Sequence, residues 1–481
     1  MVEQKVSAKR VVEAVRYPRP LAVKVLTRVL SGREALDEVL STLESGPGQS
    51  GQKEPLNAAQ MAWLQEICSG TLRWKGRLDS ILDTLSLKKK PSGWLRKVLL
   101  LAAYQLLAQD RVHPGAVVSE SVALIRKEEG EAPAKYANAC LRKISDHVEQ
   151  WRSQPFPGVS SPQAAQWASL PPWLWTRVVK QHGEDWAVGF SRACLERPEL
   201  WVRKKTDSDS AASYSDGNKA QIEDSDENKL RTDGNLDRNK IQSENSAVPN
   251  KSFKLTGEKI SDLPGLKEGE LIVQDISSQT LVTEMAAEAR NILNGKPIHV
   301  LDLCASPGGK SIALAWEGFQ VTATDRVAKR MPLLRENISR AAPSVQVVEW
   351  EDREKLGTES ATNETGGHTV SLTSMQPNWI FVDAPCSGTG IIRRHPDVRW
   401  LREEKELAAL TKTQEELLSY AMDRVAPGGL VSYSVCSILS EEGPEILSRL
   451  KLEDHVVKTW FLAPHIAPHG DGFWGVLLRK T

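Results

Sequence analysis

From about residue 7 to residue 151, apolar side chains recur three and four positions apart, as in Leu21, Val25, Leu26, Val29 and Leu30, and again in Leu78, Ile81, Leu82 and Leu85. This spacing puts them on one stripe of a helix and predicts an all-helical N-terminal region. Leu95, residues 98–103, Leu106 and Leu107 form a stretch that is apolar nearly all round, which predicts a helix buried at the centre of a bundle, with Pro91 and Ser92 at its start. A Pro-rich connection over residues 154–162 leads into residues 167–202, a mixed segment with five tryptophans that predicts two more helices.

Between about residues 204 and 251 the pattern disappears, and Asp, Asn, Ser and Lys replace almost every aliphatic residue. Too little apolar surface is available there to offset the ordering entropy, so the stretch reads as a disordered surface insertion without chemistry. Residues 357–376 read as a shorter insertion of the same kind. Beyond Ile298 the pattern resumes in a new form. Short apolar runs at 299–303, 321–324, 345–348, 379–382, 430–433 and 475–478 alternate with amphipathic stretches at 310–316, 330–341 and 411–425. The alternation predicts a doubly wound, largely parallel sheet. Three divisions follow: a helical domain at 1–155, a linking subdomain with the insertion at 156–295, and an α/β domain at 296–481.

Charge changes little in this picture. Lys plus Arg and Asp plus Glu both number 62, so any nucleic-acid partner is held by a local patch rather than by overall charge. The six cysteines are widely separated, without the close pairs of zinc sites or the density of disulfide scaffolds, which fits a reducing cytoplasm and no metal. The N-terminus mixes acidic and basic residues without an uninterrupted apolar core, and the most apolar stretch, at 94–107, is shorter than a membrane span and carries Arg96 and Lys97. A water-soluble monomer is expected.

The candidate chemistry lies in the α/β domain. The first run continues into Asp302, Leu303, Cys304, Ala305, Ser306, Pro307, Gly308, Gly309, Lys310 and Ser311 and then a helix. Glycines at such a turn let backbone approach a ligand, and the helix N-terminus favours a carboxylate. The loop is not a phosphate-binding Walker loop, because Cys304 occupies the place of its first glycine. About twenty residues on, the second run ends in Asp325, placed to accept hydrogen bonds from a ribose, so a nucleoside cofactor is expected. Two further runs end beside cysteines, Cys386 in Asp383-Ala384-Pro385-Cys386-Ser387-Gly388-Thr389-Gly390 and Cys436 in Tyr433-Ser434-Val435-Cys436-Ser437. A free cysteine is most often a small buried hydrophobe, but two in matched strand-end positions read as one active site.

These motifs, together with residues 393–400, resemble the signatures of the RsmB/Sun family of S-adenosylmethionine-dependent 16S rRNA cytosine C5-methyltransferases. Residues 70–74, 103–107 and 138–142 resemble that family's NusB-like helical domain, and 263–265, 273–275 and 468–473 also match. The resemblance implies a NusB-like all-α domain followed by a Rossmann-like class I methyltransferase domain. It also implies S-adenosylmethionine held by residues 304–310, Asp325, Asp352 and Asp383. At Asp352 the family usually has Gly-Asp-Gly, and Glu351 is its neighbour here.

Carbon 5 of cytosine is a poor nucleophile until a thiolate adds to carbon 6 and turns the ring into an enamine. The chemistry therefore needs a deprotonated cysteine and a carboxyl group at N3, for which Asp383 is the candidate. Either thiol meets the chemical requirement. The resemblance assigns attack to Cys436 and product release to Cys386, with Val435 standing where the family usually has Thr. Arg393, Arg394, His395, Arg399 and Trp400, next to Arg402, offer basic and aromatic groups suited to phosphate pairing and base stacking, and the triple lysine at 88–90 offers a second patch. The target cytosine must be unpaired or flipped out. Two alternatives stand beside 16S rRNA methylation: the same reaction on tRNA or another RNA, and a non-catalytic RNA-binding assembly factor.

Overall fold

The structure is a computed structural model that describes residues 18–44, 56–85, 90–110, 112–205, 252–255, 260, 263–294, 297–350, 376–466 and 470–481. The chain forms two compact units, Met1–Arg197 with Ser387–Leu407, and Pro198–Cys386 with Ala408–Thr481. Residues 156–295 are thus divided between the two units at Arg197. The segment Ser387–Leu407 lies in the first unit although the chain on either side of it lies in the second.

The first unit is helical: α1 (Arg19–Gly32), α2 (Leu36–Glu44), α3 (Ala58–Leu85), α4 (Gly93–Ala108), α5 (Pro114–Glu129), α6 (Glu131–Asp146), α7 (Val148–Arg152), α8 (Ala164–Trp167), α9 (Pro172–His182) and α10 (Glu184–Ala193). Helix α4 is buried without a break from Val98 to Leu107, as expected for a stretch apolar on every face. Close packing of α3 against α4 requires Gly70, since a Cβ there would lie 1.9 Å from the Tyr104 ring.

The second unit contains β1 (Leu200–Lys204), β2 (Ser252–Leu255), β3 (Leu271–Val273), α11 (Ile276–Ile292), β4 (His299–Asp302), α12 (Gly309–Trp316), β5 (Gln320–Ala323), α13 (Met331–Ala341), β6 (Gln346–Val347) and β7 (Trp379–Asp383). After the short α14 (Val398–Leu401) of the first unit come α15 (Leu407–Arg424), β8 (Leu430–Val435), α16 (Pro444–Leu450), β9 (Val456–Leu462) and β10 (Phe473–Arg479). A seven-stranded sheet runs β6-β5-β4-β7-β8-β10-β9; the strands from β6 to β8 pair in parallel, while β10 pairs antiparallel with β8 and β9. Alternate residues feed two cores. Val300, Trp379, Phe381 and Leu430 pack on one face, and Leu301, Ile380, Val382 and Val431 on the other.

The order of strands reverses direction between β4 and β7, so the carboxyl ends of β4, β5, β7 and β8 define the crevice where such sheets bind ligands. The six predicted runs became strands, but β9 and the small sheet β2-β1-β3 were not anticipated. Strand β9 is half exposed and carries a charged residue, Lys458, so it lacks a buried run. The insertion read at 204–251 lies, from residue 206 onward, outside the described residues. Its flanks are register partners, Arg203 with Ser252.

Candidate active site

The loop after β4 is built around Gly308, whose φ of +110° suits glycine alone; a Cβ there would also sit 3.3 Å from Leu334 Cδ1. Helix α12 begins at the next residue. Asp325, nearly buried at the end of β5, accepts the backbone N–H groups of Val327 (2.8 Å) and Ser306 (3.3 Å), so the strand-end acid holds the loop as well as facing it. Asp302 is fully buried and accepts Ser311 Oγ at 2.6 Å, and burial pushes its pKa up to about 7. Burial, with the nearby charges of Asp302, Asp325 and Asp383 adding to it, also raises the Cys304 thiol well above its ordinary value, which keeps it neutral.

Two buried acceptors beside this loop, Asp302 Oδ1 and Gln274 Oε1, have no hydrogen-bond partner among the described residues. Gln274 lies against the start of α12, with its Nε2 3.6 Å from a Cβ built at Gly309. Unpaired buried acceptors are costly unless a donor reaches them. A glycine loop, a strand-end acid and orphan acceptors together fit a ligand that carries ammonium and hydroxyl donors.

Strands β7 and β8 deliver the second group of side chains. Their parallel register pairs Asp383 with Ser434, and Ala384 N–H donates to the Ser434 carbonyl at 2.9 Å, so both chains leave the sheet side by side. The sulfurs of Cys386 and Cys436 then lie 3.3 Å apart. Asp383 accepts Lys310 Nζ at 2.5 Å through one oxygen and Ser434 Oγ at 2.8 Å through the other. Burial lowers the Lys310 pKa, but the Asp383 charge and hydrogen bond outweigh that effect, and the net shift is upward. Lys310, expected only as part of the cofactor loop, thus links that loop to the thiol site. Ser434 was missed altogether, although the two-residue alternation along β8 puts it on the Asp383 side. Val435 points the opposite way into the core of Tyr433 and Val431, the cluster against which Cys386 also packs.

The basic segment expected to meet RNA is part of the helical unit. Arg399 is 1 % exposed and donates to four carbonyl oxygens, those of Arg73, Ser169, Cys194 and Ile392. Burial lowers its pKa to about 10. Arg393 is 2 % exposed and its carbonyl accepts Arg73 Nε; Trp400 Nε1 donates to the Leu72 carbonyl; His395 lies 3.2 Å from Asp37; and Asp397 accepts the Leu36 N–H. The expectation that Arg393 and Arg399 pair phosphates is corrected by their burial, and Trp400, with its indole N–H bonded inward and Lys75 over its ring, is an anchor rather than an open stacking surface. Arg394 is half buried within the same segment. Ile391, Ile392, Val398 and Leu401, interleaved with the basic residues, were the sequence signal for an inward-facing segment.

Asp352, Glu351, Lys88, Lys89, Pro468 and His469 lie outside the described residues. Lys90 pairs with Asp83 at 2.7 Å. Among the described residues no cluster of His, Cys, Asp and Glu could hold a metal ion, and no helix is long and apolar enough to cross a membrane.

Residues 292–465 match the family model described as 16S rRNA methyltransferase RsmB/F, and residues 16–146 match that of the NusB family. Ribosomal RNA small subunit methyltransferase B of Citrobacter koseri is 28% identical over 483 residues, covering 96% of this chain and 98% of its own. The protein of the same name from an Escherichia coli strain is 29% identical over 437 residues, covering 89% and 88%. Among solved structures, the crystal structure of PH0851 shares the fold with a TM-score of 0.61 at 20% identity, across 97% of this chain and 100% of that one.

Proposed function

We propose, from the premise that this chain belongs to the RsmB/F methyltransferase family and carries a NusB-family helical domain, that it forms 5-methylcytosine in 16S ribosomal RNA. The relatives of that name match along almost their whole length, which supports the substrate class. The observation that carries the chemistry is the pair of thiols 3.3 Å apart beside an aspartate that is itself paired with a half-buried lysine.

S-adenosylmethionine, when bound, supplies an electrophilic methyl group. The residues that would hold it are the loop 304–310 and Asp325, with Asp352 and Asp383 completing the set. The donor-poor lining at Asp302 and Gln274 suits its ammonium and ribose hydroxyls.

In this reading Cys436 is the nucleophile, and its thiolate forms a bond to carbon 6 of an unpaired cytosine. The Lys310 ammonium bonded to Asp383 can pass a proton to its carboxyl, and the protonated Asp383 would then donate to N3 of the ring as negative charge builds there, the proton returning when the sulfur leaves. Ser434 holds the other Asp383 oxygen and so fixes the carboxyl plane. Once carbon 5 carries its new methyl group, Cys386 assists removal of the carbon 5 proton, and the Cys436 sulfur leaves carbon 6. Two thiols within van der Waals contact of each other can both reach one edge of the pyrimidine. The helical domain contributes RNA docking, and the reaction takes place in the cytoplasm.

The test is incubation of purified protein with methyl-labelled S-adenosylmethionine and unmodified 16S RNA, mapping the product. Label appearing as 5-methylcytosine in 16S RNA is expected. Methylation of tRNA without 16S RNA would overturn the substrate, and methylation by Cys436→Ala at the wild-type rate would overturn the mechanism.

A further inference from the structure

Neither thiol sits in regular structure. Cys386 follows β7 by three residues and Cys436 follows β8 directly, beyond the Ala384 to Ser434 hydrogen bond that closes the ladder. Something other than strand pairing must hold the two sulfurs together. A buried chain of hydrogen bonds runs between the residue before one thiol and the residue after the other. Gln414, fully buried on α15, donates through Nε2 to the Pro385 carbonyl at 2.9 Å and to Glu442 Oε1 at 3.0 Å. Glu442, also fully buried, accepts Ser437 Oγ at 2.5 Å through its other oxygen. The Leu439 N–H donates to Ser437 Oγ at 3.1 Å, and Tyr433 Oη donates to the Glu442 carbonyl at 2.7 Å, so the carboxylate is fixed from its backbone as well.

Taking Cys436 and Cys386 as the reacting thiols proposed above, the geometry points to Gln414 and Glu442 as positioning residues that set the separation of the two sulfurs. A buried carboxylate and carboxamide give little stability that apolar side chains of the same volume would not give. What they supply is direction. Gln414 binds the peptide carbonyl immediately before Cys386, and Glu442 binds the hydroxyl immediately after Cys436, so a shift at one thiol is transmitted to the other. Attack by one sulfur followed by release assisted by the other needs both within reach of adjacent ring carbons, and misplacement by about 1 Å costs on the order of a hundredfold in rate.

The discriminating variants are Gln414→Met, which keeps the volume and loses the donor, and Glu442→Gln, which keeps a path because its carboxamide can accept from Gln414 and donate to Ser437 Oγ. Methyl transfer to 16S RNA is measured together with the rate at which the oxidant diamide joins Cys386 to Cys436 as a disulfide. In that probe reaction each thiol loses a proton, two electrons pass to the diazene, and the diazene becomes a hydrazine; peptide mass mapping reads the product.

Gln414→Met is expected to lower kcat roughly ten- to a hundredfold, with KM for S-adenosylmethionine within about twofold, and to slow disulfide formation by a similar factor. Glu442→Gln is expected to recover most of both rates. Unchanged kcat and cross-linking in Gln414→Met would overturn the inference, as would a loss confined to melting temperature and KM. Should Gln414→Met fail to fold, Glu442→Leu beside Glu442→Gln decides: equal cross-linking in those two overturns it. Failure of the methyltransferase reading would instead appear in the wild type, as absent methyl transfer, while the cross-linking comparison would still judge the clamp.

Discussion

Two stretches of chain only seven residues apart, 383–386 and 393–400, both carried residue types suited to catalysis or RNA binding, and the structure treats them in opposite ways. At 383–386 the polar groups face other functional groups: Asp383 meets Lys310 and Ser434, and Cys386 meets Cys436. At 393–400 Arg399 and Trp400 donate to main-chain carbonyls of a helical bundle, His395 lies against Asp37 and Asp397 accepts a backbone N–H, and Arg399 has one hydrogen, on Nε, without a partner among the described residues. Charge density alone does not separate a binding surface from an anchor. The difference lies in what each group is bonded to, and a guanidinium buried against four carbonyls holds backbone together.

Substitutions sharpen this contrast, the most damaging first. Cys436→Ala is expected to reduce methyl transfer about a thousandfold or more while the melting temperature stays within a few degrees, as measured by label incorporation and thermal unfolding. Arg399→Met should do the reverse. It takes the Arg399 donors away from four carbonyls and is expected to destabilise the helical unit by about 1 to 3 kcal/mol in denaturant unfolding. Were Arg399 a phosphate contact, stability would hold and the salt dependence of RNA binding would fall by about one unit of slope instead.

Asp302 offers a pH test. Its pKa is raised in the fold to about 7 from an ordinary value of 3.8, so the folded chain binds more protons than the unfolded chain between those values. The contribution is fully present below the unfolded pKa and is lost as pH rises toward 7. Asp302→Asn should remove that decline, by up to about 1.4 kcal/mol per pH unit within the window, in unfolding measured from pH 4 to 8. Val435→Thr is the mildest: its added hydroxyl enters the apolar face of β8, costing roughly 1 kcal/mol or a little more of stability with kcat within about twofold. A several-fold gain in kcat would place residue 435 at the reacting ring after all.

The parts of the fold that could be read in advance were those written in local patterns. The apolar period of three to four gave the bundle and its central helix α4, and the apolar runs gave the strands of the parallel sheet, because a strand buried on both faces cannot be polar. The thiol pair was legible because β7 and β8 are neighbours ending in register, which two matched strand-end motifs imply. Contacts between residues distant in sequence were not legible. Lys310 meets Asp383 across 73 positions, and Arg399 meets Arg73 across 326; neither partner carries a mark of the other in its own neighbourhood. Gln414 and Glu442 were missed for the same reason, since nothing in a helix of ordinary polar pattern shows that one glutamine is fully buried.

The most direct test of the division of labour between the thiols uses 16S RNA carrying 5-fluorocytosine, which blocks release and traps any covalent intermediate. After nuclease and protease digestion, mass mapping of the trapped wild-type protein should find the nucleotide remnant on the peptide containing Cys436, and none should form with Cys436→Ala. A remnant on Cys386, or an adduct that survives Cys436→Ala, would contradict the assignment.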